Sequence, residues 1–279
     1  MQSGSSLSMM FFVATLTPFD PRGRIDLPRL RAHILWLVAQ GVDGFIPTAS
    51  AGEFLYLSDR EREAVHRTVL DVARGRPVYP CTWDPSLSTT TYLTEAALEQ
   101  GASGVLMPAP LYYDIDAATL DHWYRSFKDE TDLPIIAYHT PHHIRTSLSQ
   151  NAYRQLRADG VLSGLLDASG DAHRVRRLSK SDPGAIFVGN DRIMSQASAM
   201  PTAGGFVSEI ANIWPGFCKR IYRDREQQLE DALHERIGAL TRAGGLRAMK
   251  AMLGMGCRRP LPAPDRAQWE GLPESEMPY

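Results

Sequence analysis

Eight short apolar runs, at residues 11–16, 44–47, 77–81, 104–107, 135–138, 164–166, 185–188 and 205–207, recur at intervals of roughly 20 to 35 residues with amphipathic stretches between them. Strand-length runs alternating with helix-length segments demand a parallel sheet whose crossovers are helices. Eight such units close on themselves as an α/β fold of the (β/α)8 TIM-barrel type. In such a barrel the residues just after each strand converge on one mouth, so the rhythm says where chemistry belongs before any motif is read. A barrel of this kind takes about 250 residues as one unit. No Pro/Gly/Ser-rich linker interrupts the 279 residues present. The expected division is a barrel over 1–222 and, over 223–279, appended C-terminal helices with a Pro-rich tail packed on it.

The intervening segments carry helix signals. Leu27, Leu30, Ile34, Leu35 and Leu37 recur near helical spacing within 26–40, and Ser58 followed by Glu61 is a capping box. Further helices are expected over 88–100, 117–130, 149–158, 171–179, 191–200 and 213–222. Lys and Arg number 30 against 32 Asp and Glu, a net charge of −2, which gives no footprint for nucleic acid or an anionic membrane. No apolar run approaches the ~18 residues of a membrane span, and the patch at 9–13 is too short for a signal-peptide core. Cys81, Cys218 and Cys257 lack CxxC spacing and read as reduced thiols of a cytoplasmic protein, without structural zinc.

The positions after the runs are Thr17, Ser50 with Glu53, Trp83 with Asp84, Tyr112 with Tyr113, Tyr138 with His139, Asp167 with Ser169, Asn190 with Asp191, and Ser208 with Glu209. This rim is rich in hydroxyls and acids and has no lysine. His139, His142 and His143 crowd one loop, but Pro141 interrupts them and no carboxylate stands at matching spacing, so no metal and no cofactor is expected. Asp167 is expected to be structural, Asn190 and Asp191 to cap the following helix, and Glu209 to be a candidate acid or base.

Leu16-Thr17-Pro18-Phe19 with Gly23-Arg24-Ile25-Asp26, then 49–53 before Leu57-Ser58, then Tyr112-Tyr113, Tyr138 with Pro141, and 164–171 occur in an order and spacing that resemble the dihydrodipicolinate synthase and N-acetylneuraminate lyase family. The resemblance implies a class I lyase barrel, usually oligomeric (dimer or tetramer), acting on a small 2-oxo acid or sugar-acid carboxylate. It also implies a lysine after the sixth strand that forms a Schiff base, whose iminium serves as electron sink. Laid on that motif, residues 164–171 place Leu166 at the lysine position. The four lysines, Lys128, Lys180, Lys219 and Lys250, fall in or at the ends of helices outside the barrel or in the appended segment, so none is expected to reach the mouth. Arginine cannot substitute, because its guanidinium stays protonated.

Other positions depart from the family in the same direction. The carboxylate-cradling turn reads Ala49-Ser50-Ala51-Gly52-Glu53, with one hydroxyl lost at Ala51; a glycine-rich turn is replaced by one carrying Trp83, which is expected to place an indole near the pocket; His143 stands where synthases carry an arginine, with Arg145 nearby. Tyr138 stands at the family's acid/base tyrosine, with Ser50 and Tyr113 as its relay partners, Tyr113 expected to reach across a subunit interface. The candidate substrate-binding residues are Ala51, Gly52, Trp83, His139, His143, Val207 and Glu209. Two readings follow: Tyr-centred acid/base chemistry of lyase, hydratase or cyclase type without a Schiff base, or a non-catalytic ligand-binding or structural paralogue.

Overall fold

Seven of the eight apolar runs form ladder strands and the third does not, because Pro77 and Pro80 supply no N–H to a ladder. The computed structural model describes residues 9–111, 113–224, 227–258 and 271–277. The strands are β1 (Met10–Ala14), β2 (Gly44–Ile46), β3 (Val105–Pro108), β4 (Ile135–His139), β5 (Gly164–Asp167), β6 (Ile186–Val188) and β7 (Gly205–Ser208). All pair in parallel, in the order β2-β1-β7-β6-β5-β4-β3. The 77–81 run fills the gap between the edges β2 and β3. Val78 bridges Phe45, Cys81 bridges Leu106, and the Tyr79 and Cys81 N–H groups donate to the Phe45 and Pro47 carbonyls at 3.0 and 3.1 Å. The sheet therefore closes as the eightfold barrel, with its third stave held by single bridges.

Side chains replace the missing ladder bonds. The buried Arg62 guanidinium donates to the Cys81 and Trp83 carbonyls at 2.8 Å each, and the Thr48 hydroxyl lies 3.0 Å from the Cys81 carbonyl.

Each strand is followed by a helix that buries one stripe against the sheet. These are α1 (Leu27–Ala39), α2 (Asp59–Val72), α3 (Leu87–Glu99), α4 (Ala117–Lys128), α5 (Gln150–Ala158), α6 (Ala172–Ser181), α7 (Met194–Ala197) and α8 (Pro215–Asp224). Helix α2 begins with the expected capping box, Ser58 and Glu61 each accepting from the other's backbone N–H. The helix expected over 191–200 is a correction: a 3-10 turn at Asp191–Ile193 runs into the single turn of α7. Asn190 caps that turn, but the Asp191 carboxylate is drawn away to Ser208 Oγ and the Glu209 and Ile210 N–H groups on the next strand's end.

Beyond the eighth unit, α9 (Gln227–Arg242) and α10 (Leu246–Met252) meet at Gly244 and Gly245, both at positive φ, as such a reversal requires. Leu253 accepts from the Arg29 guanidinium, the Gly256 N–H donates to the Phe19 carbonyl, and the Glu276 carboxylate receives the Gly216 and Phe217 N–H groups at the start of α8. Most of the expected Pro-rich tail lies outside the described residues. Among the described residues no helix is long and apolar enough to cross a membrane.

Candidate active site

The residues after the strands line one end of the barrel, where a cavity of about 350 Å3 opens. Its polar wall is Ser50, Tyr138, Thr140 and His143. Ser50 sits in the turn after β2, a shape fixed by the left-handed Thr48 and Glu53 and by Gly52, where a Cβ would come within 2.7 Å of Thr48 Cα. Tyr138 is the penultimate residue of β4, and Thr140 follows it by two residues on the same side of the extended chain.

A hydrogen-bonded chain runs through this wall. Ser50 Oγ donates to Glu209 Oε1 at 2.8 Å, which commits its only proton, so across the longer 3.4 Å contact the Tyr138 phenol is the donor. Thr140 also acts on the phenol as a hydrogen-bond partner, and its Oγ1 lies 2.9 Å from His143 Nδ1. Burial, and then the Glu209 charge, push the Tyr138 phenol up to about 12, while Ser50 and Thr140 pull it down. Tyr138 is therefore a neutral proton donor at ordinary pH. Behind Glu209, burial raises the Asp191 carboxyl to about 6. The Cys81 thiol also lines the cavity, and burial pushes it up to about 11, so it stays protonated and poorly nucleophilic.

Leu166 lies on β5 beside Tyr138 and Phe187, buried among Phe12, Ile46, Leu106 and Ile136 around a void of only about 10 Å3. That space is at the lower limit for a water molecule, so side chains fill the barrel interior beneath the mouth. A Cβ at Gly189 would fall 2.7 Å from Leu166 Cδ1, so the neighbouring strand end accommodates the leucine by having no side chain there.

Several expected site residues stay out of the cavity. Trp83 is buried behind Phe54, edge-on with ring centroids 5.9 Å apart, and shapes the wall through that phenyl; its expected place near the pocket is thus one residue removed. His139 is buried opposite Asp167 in the β4–β5 register. Asp167, expected to be structural, accepts from Ser169 and from Arg174 Nε at 2.6 Å. His142 Nε2 meets the Ser169 carbonyl and His143 Nδ1 meets the Thr140 hydroxyl, so these two loop histidines have different partners. Val207 is buried on β7 beside Phe12, and Ala51 is buried in its turn. Arg145 pairs with Asp114 on the surface. Tyr113 is 73% exposed and does not line the cavity of its own protomer, and Tyr112 lies outside the described residues.

The lysines divide three to one. Lys128 binds the Thr131 carbonyl, Lys219 binds the Gln40 and Gly41 carbonyls, and Lys180 is exposed. Lys250, on α10 in the appended segment, is fully buried, ion-paired with Glu53 and 4.4 Å from the centre of the Phe19 ring. Glu53 lines the cavity, so this amine stands one side chain away from it. Sequence reasoning also missed Thr140, which the two-residue period after Tyr138 could have revealed, and Leu246, which the strand rhythm could not.

Residues 8–248 match the model of the dihydrodipicolinate synthetase family. A 4-hydroxy-tetrahydrodipicolinate synthase of Thermomicrobium roseum is 32% identical over 238 residues, covering 83% of this chain and 78% of the relative. An uncharacterized DapA-like lyase of Halobacterium salinarum is 29% identical over 249 residues, 86% and 82% of the two chains. The solved structure of CdNal from Clostridium difficile in complex with mannosamine superposes with a TM-score of 0.86 at 20% identity, over 93% of this chain and 94% of that one.

Proposed function

Because the chain belongs to the dihydrodipicolinate synthetase family yet carries Leu166 where the family resemblance assigns the Schiff-base lysine, we propose that it performs lysine-independent proton transfer on a small 2-oxo acid or related carbonyl acid. The observation that carries this reading is the chain Tyr138–Ser50–Glu209 at the cavity wall. A phenol held near 12 is a poor base by itself. Coupled through Ser50, it need never become a phenolate. The C3–H bond of the substrate breaks, its proton passes to the Tyr138 oxygen as the phenol proton moves to Ser50 and the Ser50 proton to Glu209, leaving a neutral carboxyl and an enolate. Thr140 commits its one proton to His143 Nδ1, which leaves His143 Nε2–H to donate to the enolate oxygen. Return of a proton along the same path regenerates the site, and lyase, hydratase or cyclase outcomes differ in what the enolate does next.

The test is deuterium incorporation at C3 of a 2-oxo acid in D2O, followed by NMR. Exchange is expected in the wild type and its loss in Tyr138→Phe. Borohydride reduction with the same acid should leave the intact mass unchanged; an adduct on any lysine, Lys250 included, overturns the proposal. The close apolar packing around Leu166 favours a second reading, a barrel that binds such acids without turning them over. It predicts binding with no exchange. The exposed Tyr113 fits a contact between copies of the chain in a homo-oligomer, which sedimentation would test.

A further inference from the structure

The cavity lining is mostly apolar. Beside Ser50, Tyr138, Thr140, His143 and the exposed Tyr56 stand Phe54, Leu55, Pro108, Leu111, Ile144 and Leu246, which offer no hydrogen-bonding side chain. Glu53, the acidic residue of the lining, is neutralised by Lys250. The cavity volume of about 350 Å3 equals roughly ten water molecules at ~30 Å3 each, far more than a three-carbon acid fills.

We infer that the ligand is an acid with a hydrocarbon tail: a carbonyl-carboxylate head on the Tyr138–His143 wall and an alkyl or aryl group against Phe54, Leu111, Ile144 and Leu246. The head group rests on the function proposed above; the tail rests on the cavity wall alone. A sugar acid is disfavoured, because each hydroxyl laid on that wall without a partner loses about tenfold in affinity. A bare pyruvate head leaves the wall wet. Each methylene added to the tail gains about threefold to fourfold while the wall lasts. His143 supplies the head with a donor, since Nδ1 is engaged by Thr140 and Nε2 is the ring nitrogen left to meet a carboxylate.

Isothermal titration of the full chain with pyruvate, 2-oxobutanoate, 2-oxohexanoate and 4-phenyl-2-oxobutanoate, with N-acetylneuraminate as the polar comparison, tests the inference. Affinity is expected to rise at least tenfold from pyruvate to the six-carbon and aryl acids and to be weakest for the sugar acid. Two variants check the wall. Leu55→Glu alters a side chain that is 63% exposed, so folding is spared, and Leu111→Gln alters one that is half-buried; each should flatten the series. A series already flat in the wild type, preference for the sugar acid, or no binding by any member overturns the inference. Concentration-dependent self-association abolished by Leu55→Glu, with a flat series, would place a second copy of the chain on the wall and overturn it equally. A rising series without deuterium exchange would retire the proton-transfer reading and leave the tail standing.

Discussion

In the proposed function Glu209 turns a tyrosine that is weakly basic in isolation into the near end of a proton path, and its removal has two separable effects. Glu209→Gln keeps the shape and the Ser50 contact but removes the terminal acceptor, so C3 exchange should fall by about 100-fold or more. Loss of its charge should also lower the Tyr138 transition, now raised to about 12 in part by that carboxylate, in an ultraviolet titration of the phenols. A Glu209 that takes no part in proton transfer would shift the titration and leave the exchange unmoved. At Gly189 the expected outcome is mechanical. Gly189→Ala drives a methyl against Leu166 and should lower the melting temperature, and the double variant with Leu166→Ala should recover part of the loss. Tyr138, Ser50 and Glu209 were legible in the sequence because they stand at or just past the ends of apolar runs, where barrel geometry gathers side chains whatever their chemistry. Trp83 follows such a run too, but Arg62 grips its carbonyl and Phe54 covers its ring, and neither contact leaves a trace in local sequence.

At the level of elements, two buried imidazoles tie the first helices to the barrel: His33 of α1 donates to Asn212 Oδ1 at 3.0 Å, and His66 of α2 lies 2.6 Å from Thr48 Oγ1. Burial holds them at about 4 and about 3, below the 6.5 of an exposed imidazole. Between pH 6.5 and 4 the unfolded chain therefore takes up protons that the folded chain refuses, and stability falls as pH drops, by about 1.4 kcal/mol per pH unit for each imidazole. Asp191 opposes them. Its folded value near 6 lies above the ordinary 3.8, so acidification through that window favours the fold. With two groups against one, urea midpoints should fall from pH 7 to pH 5, and His66→Gln should flatten the dependence. At the start of α2, Ser58→Ala removes one half of the capping box and should cost about 1 kcal/mol in urea unfolding. The strand rhythm and the caps were readable because both are local. The short α7 was not, because Asp191 is claimed by β7, and the broken third stave was foreshadowed only by its two prolines.

For the whole molecule, the division into a barrel over 1–222 and an extension over 223–279 remains our proposal, and the Lys250–Glu53 pair bears on it. Lys250→Met leaves a carboxylate buried without its partner and should destabilise by about 3–5 kcal/mol, with much of that recovered when Glu53→Gln is added. A decoupled extension would make the single variant nearly silent. Nothing in the strand periodicity could have announced this pair, whose members stand 197 residues apart. Leu246, on the same short helix, completes the cavity wall begun by the turn after β2. A ribosome delivering this chain would emit Ser50, Tyr138 and Glu209 well before α10. The nascent barrel would thus carry the proposed proton path without a finished ligand chamber, and ligand capture would begin only when synthesis of α10 allows the chamber to shut.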